Sequence, residues 1–289
     1  MHRDAEVDDL SRLRLLDNPN CTRLSVPADR LPGHRVTGSV TLSMSQAGGM
    51  GRRVVDVVLE QNKRALSTYA SDPGRVEEDA NNERRISQGG YGDRQIFELV
   101  QNGADELRDY PRGEIRVVLT GNTLYCANEG SPVTAEGAES ILRMSVSRKR
   151  GGQIGRFGVG VKSVLAVSDA PQFFSKDKSG EFGFGFHKAW AREQIQSVVP
   201  DLREAPVLRM AQVLDVDSLR RGDAILDELM SWATTVVRLP LVRDASSLLA
   251  RDLQEFEPEF FTFFSACGIG RSRKPKWQEP DRQTDTPDG

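Results

Sequence analysis

Glu98, Asn102 and Asp105 fall at i, i+4 and i+7 in the segment IFELVQNGADEL. On an α-helix they share one face and can converge on one ligand. Ile96, Leu99, Val100 and Leu107 form a different, roughly opposite face suited to packing on a sheet. An ordinary amphipathic helix with a solvated polar side has the same pattern, so this helix alone decides nothing. Downstream, LYCANEGSPVT reads as a strand running into Asn128, Glu129 and Gly130, with Pro132 fixing the turn. A glycine at 130 would let a flat ring approach the backbone. The third element is SVSRKRGGQIGRFGVGVKSVL, in which Gly151, Gly152, Gly155, Gly158 and Gly160 lead into an apolar segment. Glycines expose backbone N–H groups, and a following helix N-terminus adds partial positive charge. With Arg148, Lys149, Arg150, Arg156 and Lys162 beside them, the chemistry they suit is the holding of a polyphosphate.

Two familiar phosphate motifs do not fit. GRFGVGVKS carries one residue too many before Lys162 for a P-loop, and the segment ahead of it is rich in Ser, Arg and Gly rather than strand-like. Gly155, Gly158 and Gly160 give G-x-x-G-x-G, the reverse of the dinucleotide fingerprint.

The elements that must position these residues follow from periodicity and punctuation. Apolar positions from Val54 to Tyr69 predict a helix over 52–70, stopped at Asp72-Pro73-Gly74, with an acidic, polar link over 76–92. The helix carrying Glu98 is expected over 93–109. Strands are expected over 115–119 and 124–127, turned at Gly121-Asn122, then over 172–175, 182–186 and 235–239. Helices are expected over 135–144, 159–167 and 215–232. Residues 1–51 read as a poorly patterned N-terminal extension, 52–264 as the working domain and 265–289 as a disordered tail.

Composition narrows the partners. The 289 residues carry 39 basic and 42 acidic side chains, a formal net charge of −3, so no global field favours nucleic acid or an anionic membrane. Three scattered cysteines, Cys21, Cys126 and Cys267, fit neither a disulfide framework nor a zinc pattern and point to a reducing, cytoplasmic setting. No stretch approaches the roughly 18 apolar residues of a membrane span.

The order of motifs, Glu98-x-x-x-Asn102-x-x-Asp105, Asn128-x-Gly130, Gly155-x-x-Gly158-x-Gly160 and a late-strand Thr235, resembles the GHKL superfamily, the Bergerat-fold ATPases of gyrase, heat-shock chaperones, MutL and histidine kinases. The phrasing ELVQNGADE, ANEGSPV and GRFGVGVKSVLAVSDAP is most similar to the sacsin-like and heat-shock-chaperone-like branch. The resemblance covers about residues 52–264. It implies an α/β two-layer sandwich: a mixed, largely antiparallel sheet covered by helices on one face, with ATP and Mg²⁺ as cofactors. Carried over, it makes Glu98 the general base on the attacking water and Asn102 the Mg²⁺ ligand. Asp105 would line the pocket nearer the base, and Gly155, Gly158, Gly160 and Lys162 would hold phosphates in a lid. Gly130 would lie against the ring, and Thr235, with Thr234 as rival, would complete the adenine contacts. Asn128 departs from the family, which usually has an aspartate there to accept from the adenine amino group; an amide can also donate, which opens adenine against guanine.

The expected function is a nucleotide-driven conformational switch with slow ATP hydrolysis, of the chaperone or assembly type, acting on a protein client, with a homodimer as one open arrangement. The alternatives are a nucleotide-binding module without turnover and, less favoured because Glu98 is present and only His2, His34 and His187 occur, a histidine-kinase catalytic domain.

Overall fold

The computed structural model describes residues 21–27, 49–88, 95–107, 110, 113–143 and 164–256. The expected extension already contributes to the fold: β1 (Cys21–Pro27) lies antiparallel to β2 (Glu114–Thr120). Together with β3 (Thr123–Asn128), β4 (Gln172–Asp177), β5 (Gly180–Gly185), β6 (Gln212–Val213) and β7 (Thr235–Pro240) it forms one open sheet of seven strands in the order β1-β2-β3-β7-β4-β5-β6. Every neighbouring pair is antiparallel. The architecture is therefore α/β with an open antiparallel sheet, as the sequence predicts.

The main helical layer holds α1 (Met50–Ser71), α3 (Gln95–Glu106), α4 (Ala135–Leu142) and, late in the chain, α8 (Ala245–Gln254). Their apolar stripes, including Val54 and Val58 of α1, Ile96 and Val100 of α3 and Leu249 and Leu253 of α8, close over Val117, Leu124, Phe173, Val237 and Leu239 of the sheet. The start of α1 lacks a capping side chain of its own; the Asp177 carboxylate, at the tip of the β4–β5 hairpin, accepts the Gly51 N–H at 3.3 Å instead. Such an acceptor satisfies one of the donors that a helix start leaves open.

The second sheet face is also covered. Residues pointing the other way from the same strands, Val118, Tyr125, Phe174 and Val236, bury Leu226, Leu229 and Met230 of α7 (Ala224–Trp232). This helix follows α6 (Val216–Gly222) directly, with Asp223 ending one and capping the other by accepting the Leu226 N–H at 3.0 Å. The single helical stretch expected over 215–232 is thus two helices, and the helices lie on both faces rather than one.

One expectation is overturned outright. The segment read as a polar link forms α2 (Gly74–Gln88), with Val76, Asp79, Ala80 and Glu83 buried. These positions have helical spacing, but half the inward stripe is carboxylate, which an apolar-periodicity reading does not count. Asp79 accepts the Tyr69 hydroxyl at 2.9 Å and lies 3.1 Å from the Arg209 guanidinium, and Glu83 accepts the Val207 and Leu208 N–H groups at 2.6 and 2.7 Å. Tyr69, Val76, Leu202 and Met210 pack around them, with Ile195 of α5 (Lys188–Gln196), as a satellite core. Among the described residues, no helix is long and apolar enough to cross a membrane.

Candidate functional site

The strand register fixes the floor of the site. Asn128 of β3 lies directly opposite Thr235 of β7, and Thr235 opposite Ser175 of β4. Directly opposed residues of antiparallel strands point to the same face, so these three polar side chains form one row across three strands, under the helical layer. All three are buried. Two residues inward, Cys126, Val237 and Phe173 form a parallel apolar row. A side chain in the polar row can fix a ligand's orientation while the apolar row contacts its flat body.

The roof is α3. Leu99, Asn102, Gly103 and Glu106, at i, i+3, i+4 and i+7, line a cavity over both rows, and Ser131 to Thr134 with Gly137 of α4 close one side. The cavity holds about 110 Å³. That is below the roughly 300–1,000 Å³ that encloses a whole drug-sized ligand, so it admits a ring rather than an entire nucleotide. Close approach of the roof depends on two glycines. A Cβ on Gly103 would come within 3.2 Å of Ile115, and one on Gly130 within 2.6 Å of the Glu106 carbonyl oxygen.

The side wall is held by hydroxyls. Ser175 Oγ accepts the Val133 N–H at 3.0 Å and donates to the Thr234 carbonyl at 3.1 Å, and it lies 3.2 Å from Thr235 Oγ1. The Thr235 hydroxyl also reaches the Ser131 carbonyl at 3.4 Å, a second link from the floor to this wall. Thr134 caps α4 by accepting the Gly137 N–H at 3.0 Å. Glu129 accepts the Glu114 N–H at 2.9 Å and so pins the other side of the turn to β2.

Of the residues singled out in the sequence, Asn102, Asn128 and Thr235 meet at this cavity. Gly130 adjoins it, its N–H donating to Asn128 Oδ1 at 3.0 Å. Thr234 offers its backbone instead, its N–H donating to the Asn128 carbonyl at 2.8 Å. Glu98 and Asp105 are half-buried on α3 and are not among the lining residues. The stripe facing the cavity is centred one position away from the predicted one, on Leu99, Asn102, Gly103 and Glu106. Gly155, Gly158, Gly160 and Lys162 lie outside the described residues. Sequence reasoning missed Ser175, Cys126, Phe173 and Glu106. The one legible signal was a serine in the otherwise aromatic strand QFFSKD.

The Asn102 side chain is only 8% exposed and makes no hydrogen bond to a described residue. A buried amide without partners is costly unless a ligand or water satisfies it. Its oxygen is a hard donor suited to Mg²⁺, which commonly takes one or two protein ligands and completes its shell with waters and phosphate oxygens. Among the described residues there is no cluster of three His, Cys, Asp or Glu that could hold a metal without such help. Cys126 is fully enclosed in the floor, and burial pushes its thiol up to about 12. It is thus a neutral packing group, not a nucleophile.

No protein-family model matches the chain. Over 144 residues it is 27% identical to Protein NO VEIN of Arabidopsis thaliana, a match that takes in 49% of this chain and 5% of that protein. The chain therefore spans a small fraction of the length of that relative.

Proposed function

We propose that the chain binds ATP with Mg²⁺ at the cavity between α3 and the β3–β7–β4 floor, hydrolyses it slowly, and uses the bound state to change what protein it engages. The observation that carries this reading is the meeting of Asn102, Asn128 and Thr235, far apart in sequence, at one ring-sized cavity, with the Asn102 amide making no hydrogen bond to a described residue. The base would lie on the Cys126–Val237–Phe173 row with its polar edge toward Asn128 and Thr235. The phosphates would then extend along α3 past Asn102. Mg²⁺ held there offsets their charge and supplies Lewis-acid stabilisation when bound. Glu98, one turn before Asn102 on α3 and outside the cavity lining, would take a proton from water near that end of the ligand. The basic, glycine-rich stretch of about residues 145–157, which lies outside the described residues, would be the phosphate lid.

Titration of the purified protein with ATP, with and without Mg²⁺, tests binding, and phosphate release tests turnover. Saturable, Mg²⁺-dependent binding with slow release is expected. Binding with no release would leave a nucleotide-responsive module rather than an ATPase, and no binding would refute the reading as a whole.

A further inference from the structure

We infer that the site reads the base through a donor on Asn128 and an acceptor on Thr235, and therefore accepts 6-oxopurine nucleotides about as well as adenine nucleotides. The inference rests on the proposed nucleotide site and adds its base specificity.

The amide of Asn128 has its orientation fixed by chemistry. The buried Gly130 N–H lies 3.0 Å from Oδ1, and an N–H needs an acceptor, so the oxygen faces the turn and Nδ2 faces away from it. Asn128 is 6% exposed and lines the cavity, and its Nδ2 makes no hydrogen bond to a described residue. Nor is that nitrogen fully enclosed. It reaches the cavity as a donor.

Thr235 contributes the opposite polarity. The Thr235 hydroxyl has two protein acceptors for its one proton, the Ser131 carbonyl at 3.4 Å and Ser175 Oγ at 3.2 Å, so the proton is held by the protein and an Oγ1 lone pair is left for a ligand. The two residues are directly opposed across β3 and β7, so the donor and the acceptor stand side by side at the floor.

An adjacent donor and acceptor match two base edges equally. Adenine can take the Asn128 N–H on N1 and give its 6-amino hydrogen to Thr235. Hypoxanthine, shifted along the floor by one ring position, can take the same N–H on O6 and give its N1–H to Thr235. A carboxylate at 128 has no hydrogen to give and supports neither arrangement; it would instead accept from the 6-amino group of adenine, and would repel a 6-carbonyl.

Inosine triphosphate isolates this difference, since it changes position 6 without adding the guanine 2-amino group. Equilibrium binding of ATP and ITP with Mg²⁺ should give dissociation constants within about tenfold of each other for the full chain. Asn128→Asp keeps an acceptor for the Gly130 N–H and so preserves the turn; it should shift the ratio toward ATP by at least about tenfold. A native preference for ATP above about a hundredfold, or an Asn128→Asp ratio equal to the native one, overturns the inference and leaves the nucleotide site standing. Failure of both nucleotides to bind the native chain overturns the site and the inference together.

Discussion

Ser175 and Thr235 oppose each other across β4 and β7, their hydroxyl oxygens 3.2 Å apart, and the Ser175 oxygen also accepts the N–H of Val133 from the loop that walls the cavity. One hydroxyl thus ties two strands to the loop between β3 and α4. This coupling links the sheet register to the shape of the site.

Ser175→Ala leaves the buried Val133 N–H and Thr235 Oγ1 without that partner. An unsatisfied buried donor costs about 1–3 kcal/mol, so the variant should unfold earlier in urea. ATP affinity should fall too, because residues 131–134 keep only the longer bond from Thr235 Oγ1 to the Ser131 carbonyl, 3.4 Å, as a tie to the floor. Unchanged affinity in a destabilised variant would show that the wall holds without Ser175.

Gly130→Ala tests the close approach of the β3 turn to α3. A Cβ there would lie 2.6 Å from the Glu106 carbonyl oxygen and 2.7 Å from its carbon, which are backbone atoms that cannot swing aside. The turn or the helix end must move, at a cost of about 1–3 kcal/mol, and nucleotide affinity should drop. Gly121→Ala is the control, since a Cβ at that position meets nothing within 4 Å. Equal melting temperatures for the two variants would remove the packing argument.

Most of the sheet and the long helices were legible because their apolar positions keep period 2 or 3.6 along short stretches. The cavity row was legible only in part. Asn128 and Thr235 stand at strand ends with turn residues beside them, whereas the role of Ser175 depends on register between β4 and β7, a property of pairing that no local pattern encodes. The rotation of the α3 stripe toward Leu99 and Glu106 has the same origin: helix periodicity places residues on faces, but packing on the sheet selects which face looks inward. Helix α2 was illegible for a different reason, since its inward residues Asp79 and Glu83 satisfy each other's surroundings through Tyr69, Arg209 and two backbone N–H groups.

That buried carboxylate pair predicts a pH dependence. Burial raises the Glu83 carboxyl from 4.5 to about 7, against the lowering effect of the Val207 and Leu208 N–H groups, with Asp79 and Arg209 as the facing charges. The folded value lies above the unfolded one, so the folded state holds this proton more tightly. Its contribution to stability is full below about pH 4.5 and is lost as pH rises through about 7. The full swing is on the order of 3 kcal/mol. Glu83→Gln keeps an acceptor for one of the two N–H groups and removes the titration, so its urea midpoint should be lower throughout but flatter than that of the native chain between pH 5 and 8 (about the range of the proton loss). Parallel profiles would place the titration elsewhere.

The final prediction separates binding from chemistry on α3. Glu98 is not among the cavity-lining residues, whereas Asn102 is. If Glu98 acts only on water, Glu98→Ala should leave ATP affinity nearly intact while phosphate release falls by about 10² or more. Asn102→Ala should behave otherwise, because it removes the buried amide proposed to hold Mg²⁺ and leaves the phosphate charge poorly neutralised. Affinity itself should fall, and its dependence on Mg²⁺ should weaken. Asn102→Ala removes no hydrogen bond to a described residue, so its stability should stay close to native, which makes loss of binding readable as loss of a ligand contact. If α3 merely presented a solvated polar side, both substitutions would change stability by only about half a kcal/mol and leave both activities alone. Titrating each variant with ATP, with and without Mg²⁺, beside a urea unfolding curve distinguishes these outcomes. Native binding and native turnover in both variants would mean that α3 is not the helix that handles the nucleotide.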